Sequence, residues 1–224
     1  MLIKWYGHAC FRCEGDGMSV VTDPYDPAVS GLKPVDDPAD LVVVSSTSDA
    51  YHSNAAMIPG DPLCLNALDI AGFGTVEVGG VTFEALRTIE SIEHKEDPDE
   101  NAMYRFELGG VSALHMGDTG NPLTGEQLHR LRSRVDVLLA LVGGPPTIEL
   151  EDLGRAIEEI DPRVVVPMHY RIPGLKVDGE ILPVDAFLAR YPRETVARVG
   201  SSEVEFTPDT LPPSLRICVL EPSR

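Results

Sequence analysis

Basic residues are scarce in this chain of 224 residues, which has 18 lysines and arginines against 36 aspartates and glutamates. The formal net charge is −18, and a surface of that sign repels the phosphates of a nucleic-acid backbone. The composition therefore predicts no nucleic-acid partner. Solubility of an acidic protein is the simplest role for so much negative charge.

Long apolar runs are also missing from the sequence. No stretch approaches the roughly 20 apolar residues that a membrane-spanning helix needs. Residues 1–7 lack the basic segment followed by a long apolar segment that a signal peptide requires. We therefore predict no membrane partner and a cytoplasmic location.

Cysteine is sparse as well, because four residues are too few to indicate a disulfide framework. Cys10 and Cys13 have the CxxC spacing of some metal and redox sites. They lie in alternating, strand-like sequence without a second such pair, which favours buried or half-buried thiols over a zinc or redox site.

Apolar residues make up 43% of the chain, enough for a sizeable core. No linker is evident, so we predict a single domain over residues 1–224.

The first half reads as hairpins, with Gly79-Gly80 and Gly109-Gly110 as two-residue turns. The second half alternates strands with helices, of which the first is capped by Thr124 and Gln127. This order predicts a mixed α/β protein in which helices cover two sheets. Strands are predicted at 2–5, 9–14, 18–22, 42–44, 63–65 (buried), 75–78, 81–86, 102–108, 111–115, 135–142, 163–167, 195–199, 203–206 and 216–220, and helices at 124–131, 147–159 and 184–191.

The strand at 42–44 runs directly into a polar loop, residues 45–54. Buried strands that end in polar loops are where α/β proteins build sites, because the rigid strand aims the loop side chains. This loop contains Asp49 and His52, two residue types that ligate metals or move protons.

Histidine is the most informative residue type in the chain. His129 belongs to a predicted helix and is most simply a solvated residue. The other five stand in loops or at strand ends, where a site would gather them; they are His8, His52, His94, His115 and His169. Taken singly, each is equally compatible with a role in capping a backbone carbonyl.

Three of these histidines belong to a series of motifs that runs, in chain order, Gly7-His8-Ala9-Cys10-Phe11, Asp23-Pro24-Tyr25, Asn101, His115-Met116-Gly117-Asp118, Val142-Gly143-Gly144 and Pro167-Met168-His169-Tyr170. In this order the motifs resemble the metallo-β-lactamase superfamily, in particular its ascorbate-6-phosphate lactonase-like branch of predicted zinc-dependent hydrolases. The resemblance implies a four-layer αββα sandwich with a metal site at one edge of its two sheets. The family often forms homo-oligomers, which makes a homo-oligomer our expectation here.

The resemblance also implies a ligand set. The family holds its metals with an HxHxDH loop, a later strand-end histidine, a bridging aspartate and a final histidine. The last three match His94, Asp118 and His169. The HxHxDH loop should follow the strand at 42–44, and there it is degenerate. Matched from the strand side, its ligand positions hold Ser46, Ser48, Ala50 and Tyr51; matched from the far side, with His52 retained, they hold Thr47, Asp49 and Tyr51.

Two hypotheses follow from the degenerate loop. Zinc sites generally need at least three protein ligands, and hydroxyl groups rarely serve. One hypothesis is a hydrolase of an ester, lactone or phosphoester with a single zinc, manganese or iron ion held by His52, Asp118 and His169. Asp118 would then orient the attacking water and Asp49 would act as general base, while the groups that hold the ligands in place would be His8, Asp23 and His115.

The alternative is a metal-free, catalytically inactive member of the family. It would bind a small molecule or a protein partner in the former active-site cleft. The two hypotheses differ in whether the purified protein contains metal.

Overall fold

Two mixed β-sheets organise the chain, which a computed structural model describes over residues 1–47, 49–90, 100–177 and 179–223. In the first sheet three antiparallel strands are followed by two parallel ones, and a short antiparallel strand closes the other edge. In spatial order this sheet contains β13 (Glu203–Glu205), β1 (Leu2–Gly7), β2 (Cys10–Gly15), β3 (Met18–Thr22), β4 (Leu41–Val44) and β5 (Leu63–Asn66).

The second sheet is antiparallel at one side and parallel at the other. Its antiparallel half consists of the two hairpins that the Gly-Gly pairs predict. In spatial order the sheet contains β12 (Val196–Arg198), β14 (Arg216–Val219), β11 (Val164–Met168), β10 (Val137–Leu141), β9 (Val111–His115), β8 (Glu100–Leu108), β7 (Val81–Ile89) and β6 (Thr75–Val78).

Both Gly-Gly turns have positive φ at both residues: 59° and 84° at Gly79 and Gly80, and 59° and 69° at Gly109 and Gly110. Two consecutive left-handed residues are what the tight turn of a twisted hairpin requires, and glycine adopts them without a steric cost. The glycine pairs therefore determine the register of both hairpins.

Helices are few and short in the described ranges. They are α1 (Pro27–Ser30), α2 (Ala67–Ile70), α3 (Gly125–Leu131), α4 (Leu150–Ile160) and α5 (Val184–Leu188), with 3₁₀ turns at Ala55–Met57 and Arg193–Thr195. The predicted capping box is confirmed, because Thr124 accepts from the amide of Gln127 and Gln127 accepts from that of Thr124. None of the described helices is long and apolar enough to cross a bilayer.

The faces of β4 show how the layers are arranged. Val43 belongs to the large core between the sheets, whereas its neighbour Val42 belongs to a smaller cluster. Successive side chains of a strand point to opposite faces, so this smaller cluster covers the outer face of the first sheet. It contains Tyr6, Cys10, Val21, Tyr25, Val35, Val42 and Ile58. The α/β fold class predicted from the sequence is confirmed.

Three local predictions need correction. The strand at 63–65 is not buried, because β5 is the edge of its sheet and Leu63 is 54% exposed. The helix predicted over 184–191 ends at Leu188. Two four-residue helices, α1 and α2, lie where loops or no element was predicted, and each begins at a side-chain cap, Asp26 or Asn66. The prediction that Cys10 and Cys13 are buried thiols is confirmed.

Candidate metal centre

The ends of five strands meet at one place. His8 follows β1, Asp23 follows β3, the loop with His52 follows β4, Asp118 lies just after β9, and His169 follows β11. The side chains of all five are at most 12% exposed. The structure therefore brings together residues that are distant in sequence, as the resemblance implies.

Asp23 is the most heavily hydrogen-bonded group of this cluster. Its carboxylate accepts from the backbone amide of Ser45 at 2.9 Å and from the Ser45 hydroxyl at 2.6 Å. It also accepts from the Tyr104 hydroxyl at 3.1 Å and lies 3.0 Å from Nδ1 of His52. Burial raises the pKa of Asp23, but His115, His52 and Ser45 outweigh burial and keep it below its ordinary value. Asp23 is therefore a buried carboxylate.

The contact with Asp23 determines what His52 can do. A carboxylate only accepts hydrogen bonds, so Nδ1 of His52 donates and Nε2 faces the site. Nε2 lies 3.6 Å from Oδ2 of Asp118 and 3.9 Å from Oδ2 of Asp49, and it has no hydrogen-bond partner among the described residues. Burial lowers the pKa of His52, but Asp118, Asp23 and Asp49 together raise it to about 10. The surroundings of Nε2 thus favour a positive charge at that position.

Asp118 is held by its backbone and points both oxygens at imidazoles. Its amide donates to Oδ1 of Asn101 at 3.0 Å, and the Asn101 amide group donates in turn to Thr88 at 2.7 Å and Thr119 at 3.2 Å. Oδ1 of Asp118 lies 3.2 Å from Nε2 of His169. Burial lowers the pKa of His169 despite the neighbouring Asp118, so this imidazole is neutral.

His115 differs from the other histidines of the site because both of its nitrogens are hydrogen-bonded. Nδ1 accepts from the amide of Gly117 at 2.9 Å, so Nε2 donates to the carbonyl of Ala9 at 2.8 Å. Burial lowers its pKa, in keeping with a neutral ring. His115 is thus a structural partner of the site with no free lone pair.

His8 lies against the other two histidines, with ring centroids 4.8 Å from His52 and 4.1 Å from His169. Its Nδ1 is buried without a hydrogen-bond partner among the described residues. Burial and the two neighbouring rings lower its pKa well below the ordinary histidine value. The family resemblance predicts a supporting role for His8, whereas in the structure its ring lies directly against two predicted ligands, His52 and His169.

Two groups of donor atoms have the spacing of a metal site, meaning that all members of each lie within 4.8 Å of one another. The first consists of His8, His52 and His169, and the second of Asp49, His52 and Asp118. His52 belongs to both. The trio predicted from sequence, His52 with Asp118 and His169, is therefore split between them, with Asp118 in contact with both histidines.

The degenerate loop is folded so that Asp49 faces the site. Oδ1 of Asp49 accepts from the amide of Tyr51 at 2.8 Å, which leaves Oδ2 toward His52. The side-chain amide of Asn54 ties the loop by donating to the carbonyls of Asp49 at 3.1 Å and Ala50 at 2.8 Å. These contacts favour matching the loop to the family motif from its His52 end. His94, the fourth predicted metal ligand, lies outside the described residues.

Backbone strain is concentrated at this site. His8, Asp23 and His169 have φ of 51°, 37° and 53°. Residues with a Cβ pay a steric cost in this left-handed region, and such strain is typical of positions whose side chains must be aimed. Three of the five strand-end groups are therefore held in uncommon conformations.

The site opens into a cavity of about 160 Å³. A larger cavity of about 750 Å³ lies between α3 and α4, and its lining includes exposed charged residues such as Arg155 and Glu158. The smaller cavity is the one that the buried donor atoms line. Its lining residues are His8, Asp49, Tyr51, His52, Glu90, Asp118, Pro146, His169, Val177 and Ile181.

Comparison with known proteins identifies the class. The family model described as "Beta-lactamase superfamily domain" matches residues 2–169. The chain belongs to the metallo-β-lactamase superfamily. A crystal structure from Thermotoga maritima, described as a candidate zinc-dependent hydrolase of this superfamily, is 31% identical with a TM-score of 0.76, and the match covers 98% of each chain.

Similar relatives carry the family name UPF0173. A UPF0173 protein of Pyrococcus abyssi is 28% identical over 187 residues, which cover 76% of this chain and 83% of that protein. A UPF0173 metal-dependent hydrolase of Thermoplasma acidophilum is 27% identical over 186 residues, covering 75% and 82%. The metallo hydrolase Igni18 of Ignicoccus hospitalis, at 19% identity over 100% and 96% of the two chains, shares the fold with a TM-score of 0.67.

Two partners of the site were missed by sequence reasoning. Ser45 and Tyr104 both donate to Asp23. Ser45 directly follows the valine strand, a position that could have indicated it. Tyr104 sits inside a strand of the other sheet, and no local pattern indicates a contact across two sheets.

Proposed function

We propose that the protein is a hydrolase that uses one metal ion, held by His52, Asp118 and His169, to cleave an ester, lactone or phosphoester. The observation that supports this most directly is the free Nε2 of His52. It is buried, lacks a hydrogen-bond partner among the described residues, and lies between the carboxylates of Asp49 and Asp118.

The donor set fits a single ion. His52 uses Nδ1 to donate to Asp23, so its ring offers one lone pair, at Nε2. Both groups of closely spaced donors include His52, so they share that one nitrogen. Imidazole and carboxylate donors suit zinc, manganese and iron. Oδ1 of Asp118, buried without a hydrogen-bond partner among the described residues, supplies a further free donor.

A bound metal of this kind supplies Lewis-acid activation of water and polarises the acceptor oxygen of the substrate. The residues of the chain do the rest. Asp23 keeps the His52 ring in one orientation through Nδ1. Asp118 orients the attacking water, and Asp49 accepts its proton at Oδ2, the oxygen left toward the site by the contact of Oδ1 with the Tyr51 amide.

The cavity charge supports an uncharged acyl substrate. The described lining residues include the carboxylates Asp49, Glu90 and Asp118, and no lysine or arginine is among them. Arg171, which follows His169, is exposed and is not among the lining residues. An ester or lactone fits such a cavity better than a phosphoester, whose charge would meet carboxylates.

Metal content tests the proposal. Protein purified without a chelator should contain close to one equivalent of zinc, manganese or iron, and His169→Ala should lose it. His129→Ala is the matched control, because His129 is an exposed helix residue, and it should retain the metal. Protein that stays metal-free after incubation with each ion would contradict the proposal and leave the alternative of a non-catalytic binding protein.

A further inference from the structure

The nitrogens of His8 and His115 are used very differently. His115 has both nitrogens in hydrogen bonds, to Ala9 and Gly117. A histidine that only supports a site has this pattern, since a buried polar atom without a partner costs free energy. Nδ1 of His8 is buried and has no partner among the described residues. The hydrogen-bonding capacity of Nδ1 of His8 is therefore unused among the described residues.

The position of His8 indicates what this capacity is for. Its donor atom lies within 4.8 Å of donor atoms of His52 and His169. Nitrogens that share one tetrahedral zinc at about 2.1 Å are about 3.4 Å apart, so small side-chain rotations bring the three rings to coordination distance. The left-handed φ of 51° at His8 aims the ring inward directly after β1.

We infer that His8 is itself a metal ligand, which completes a three-imidazole site with His52 and His169 beside the carboxylate of Asp118. The inference rests on the proposed function, because it assigns a further ligand to the same ion. A metal-binding role of His8 also accounts for the small number of metal-binding residues in the loop after β4. In its described part that loop directs Asp49 and His52 toward the site, and a histidine after β1 supplies an imidazole that the loop does not.

The test is to count the imidazoles bound to zinc in the whole protein by X-ray absorption spectroscopy. Wild type should show three, and His8→Asn two. Asparagine is suited to this position because it tolerates the left-handed backbone better than most residues. The zinc dissociation constant should rise on the order of 100-fold or more, above the range typical for loss of a supporting residue.

Two control variants assign the third imidazole. His129→Asn changes an exposed histidine and should leave three. His94→Asn tests the remaining family position and should also leave three. If His94→Asn lowers the number to two while His8→Asn leaves it at three, the inference is overturned.

The wild-type spectrum can overturn the inference even when a variant fails to fold. Stoichiometric zinc with only two imidazoles would overturn the assignment of His8 and leave the proposed function intact, whereas protein that binds no ion would overturn both. His8→Gly provides a second measurement, since glycine also accepts the backbone conformation. Added imidazole should restore the third nitrogen in that variant, and a failure to do so in folded, zinc-loaded protein would count against the inference.

Discussion

Two clusters of buried charge in the described part of the protein differ in how completely their polar atoms are paired. Glu84 on β7 is 5% exposed and is surrounded by guanidinium groups. Arg130 and Arg134 contact it at 2.9 and 2.8 Å, and Arg105 lies 3.6 Å away. Among the described residues, one buried nitrogen of this cluster, Nε of Arg105, has no hydrogen-bond partner, whereas the candidate metal centre has three such nitrogens, on His8, His52 and His169.

Burial of charge alone therefore does not mark a functional site. The Glu84 cluster has a carboxylate that is neutralised from several sides, without left-handed backbone at any of its members. The candidate metal centre combines several unpaired donor atoms with three strained residues. Unfilled hydrogen-bonding capacity together with strain is the combination that distinguishes it.

The largest effect on stability is expected at the Glu84 cluster. Glu84→Ala leaves the half-buried guanidinium of Arg105 without its carboxylate and should lower the free energy of unfolding by about 3 kcal/mol. This value is the low end for a broken buried ion pair, because Arg130 and Arg134 can reach solvent. Urea denaturation measures this. Glu107→Ala, at an exposed position of β8, should change stability by less than about 0.5 kcal/mol. If Glu84→Ala and Glu107→Ala lowered the free energy of unfolding equally, the structural role of the Glu84 cluster would be refuted.

The same cluster should make stability depend on pH. Burial raises the pKa of Glu84, but Arg130 and Arg134 outweigh it and hold the pKa below its ordinary value of 4.5. A carboxyl with a lowered pKa stabilises the fold fully above its unfolded pKa and loses that contribution as pH falls through the folded value. The stability difference between wild type and Glu84→Gln should therefore narrow below about pH 4.5. A constant difference from pH 7 to pH 3 would contradict this.

Substitution of Asp23 should lower stability less than Glu84→Ala does, but it should clearly weaken zinc binding. Asp23→Asn removes the charge that orients His52 and should weaken zinc binding about 10- to 100-fold, as measured by competition with a chelating dye. Asparagine tolerates the φ of 37° at this position. Asp16→Asn is the matched control, because Asp16 also has positive φ, 54°, but lies in an exposed turn; its zinc affinity should be unchanged.

The smallest effect on stability is expected for a residue with strained backbone that lies outside both clusters. Asp161 ends α4 with φ of 57° and is exposed. Asp161→Gly should raise the free energy of unfolding by about 0.5 kcal/mol, since glycine adopts this conformation without a Cβ clash. Thermal unfolding followed by circular dichroism measures the change. Zinc binding should be unaffected, and a loss of zinc affinity would show that this helix end is coupled to the site.

Local patterns predicted most of the fold. The Gly-Gly turns and the Thr124 capping box are short-range signals, and the structure confirms them. The exposure of Leu63 could not be predicted in the same way, because a strand's place at the edge of a sheet depends on the order of distant strands. The short helices α1 and α2 are defined by single capping residues in otherwise irregular sequence.

The candidate site was predictable where family spacing marks it and hidden where it depends on contacts between sheets. The resemblance singled out Asp118 and His169, and the structure brings both to His52. It said little about His8, because a histidine after a first strand has no local feature that separates a ligand from a supporting group. The contact of Tyr104 with Asp23 joins residues 81 positions apart, and such pairings arise only when both sheets are in place.

Asp23 accepts hydrogen bonds from Ser45 at the end of β4 in the first sheet and from Tyr104 on β8 in the second. The two sheets are therefore fastened together at this rim by the same carboxylate that orients His52. Any motion that separates the sheets here breaks the Tyr104 contact and also parts His52, which follows β4 in the first sheet, from Asp118 and His169, which follow strands of the second. Opening of the fold and loss of the site's geometry are therefore one cooperative event. Hydrogen exchange at the Ser45 amide, which donates to Asp23, then reports on how long this carboxylate stays in place.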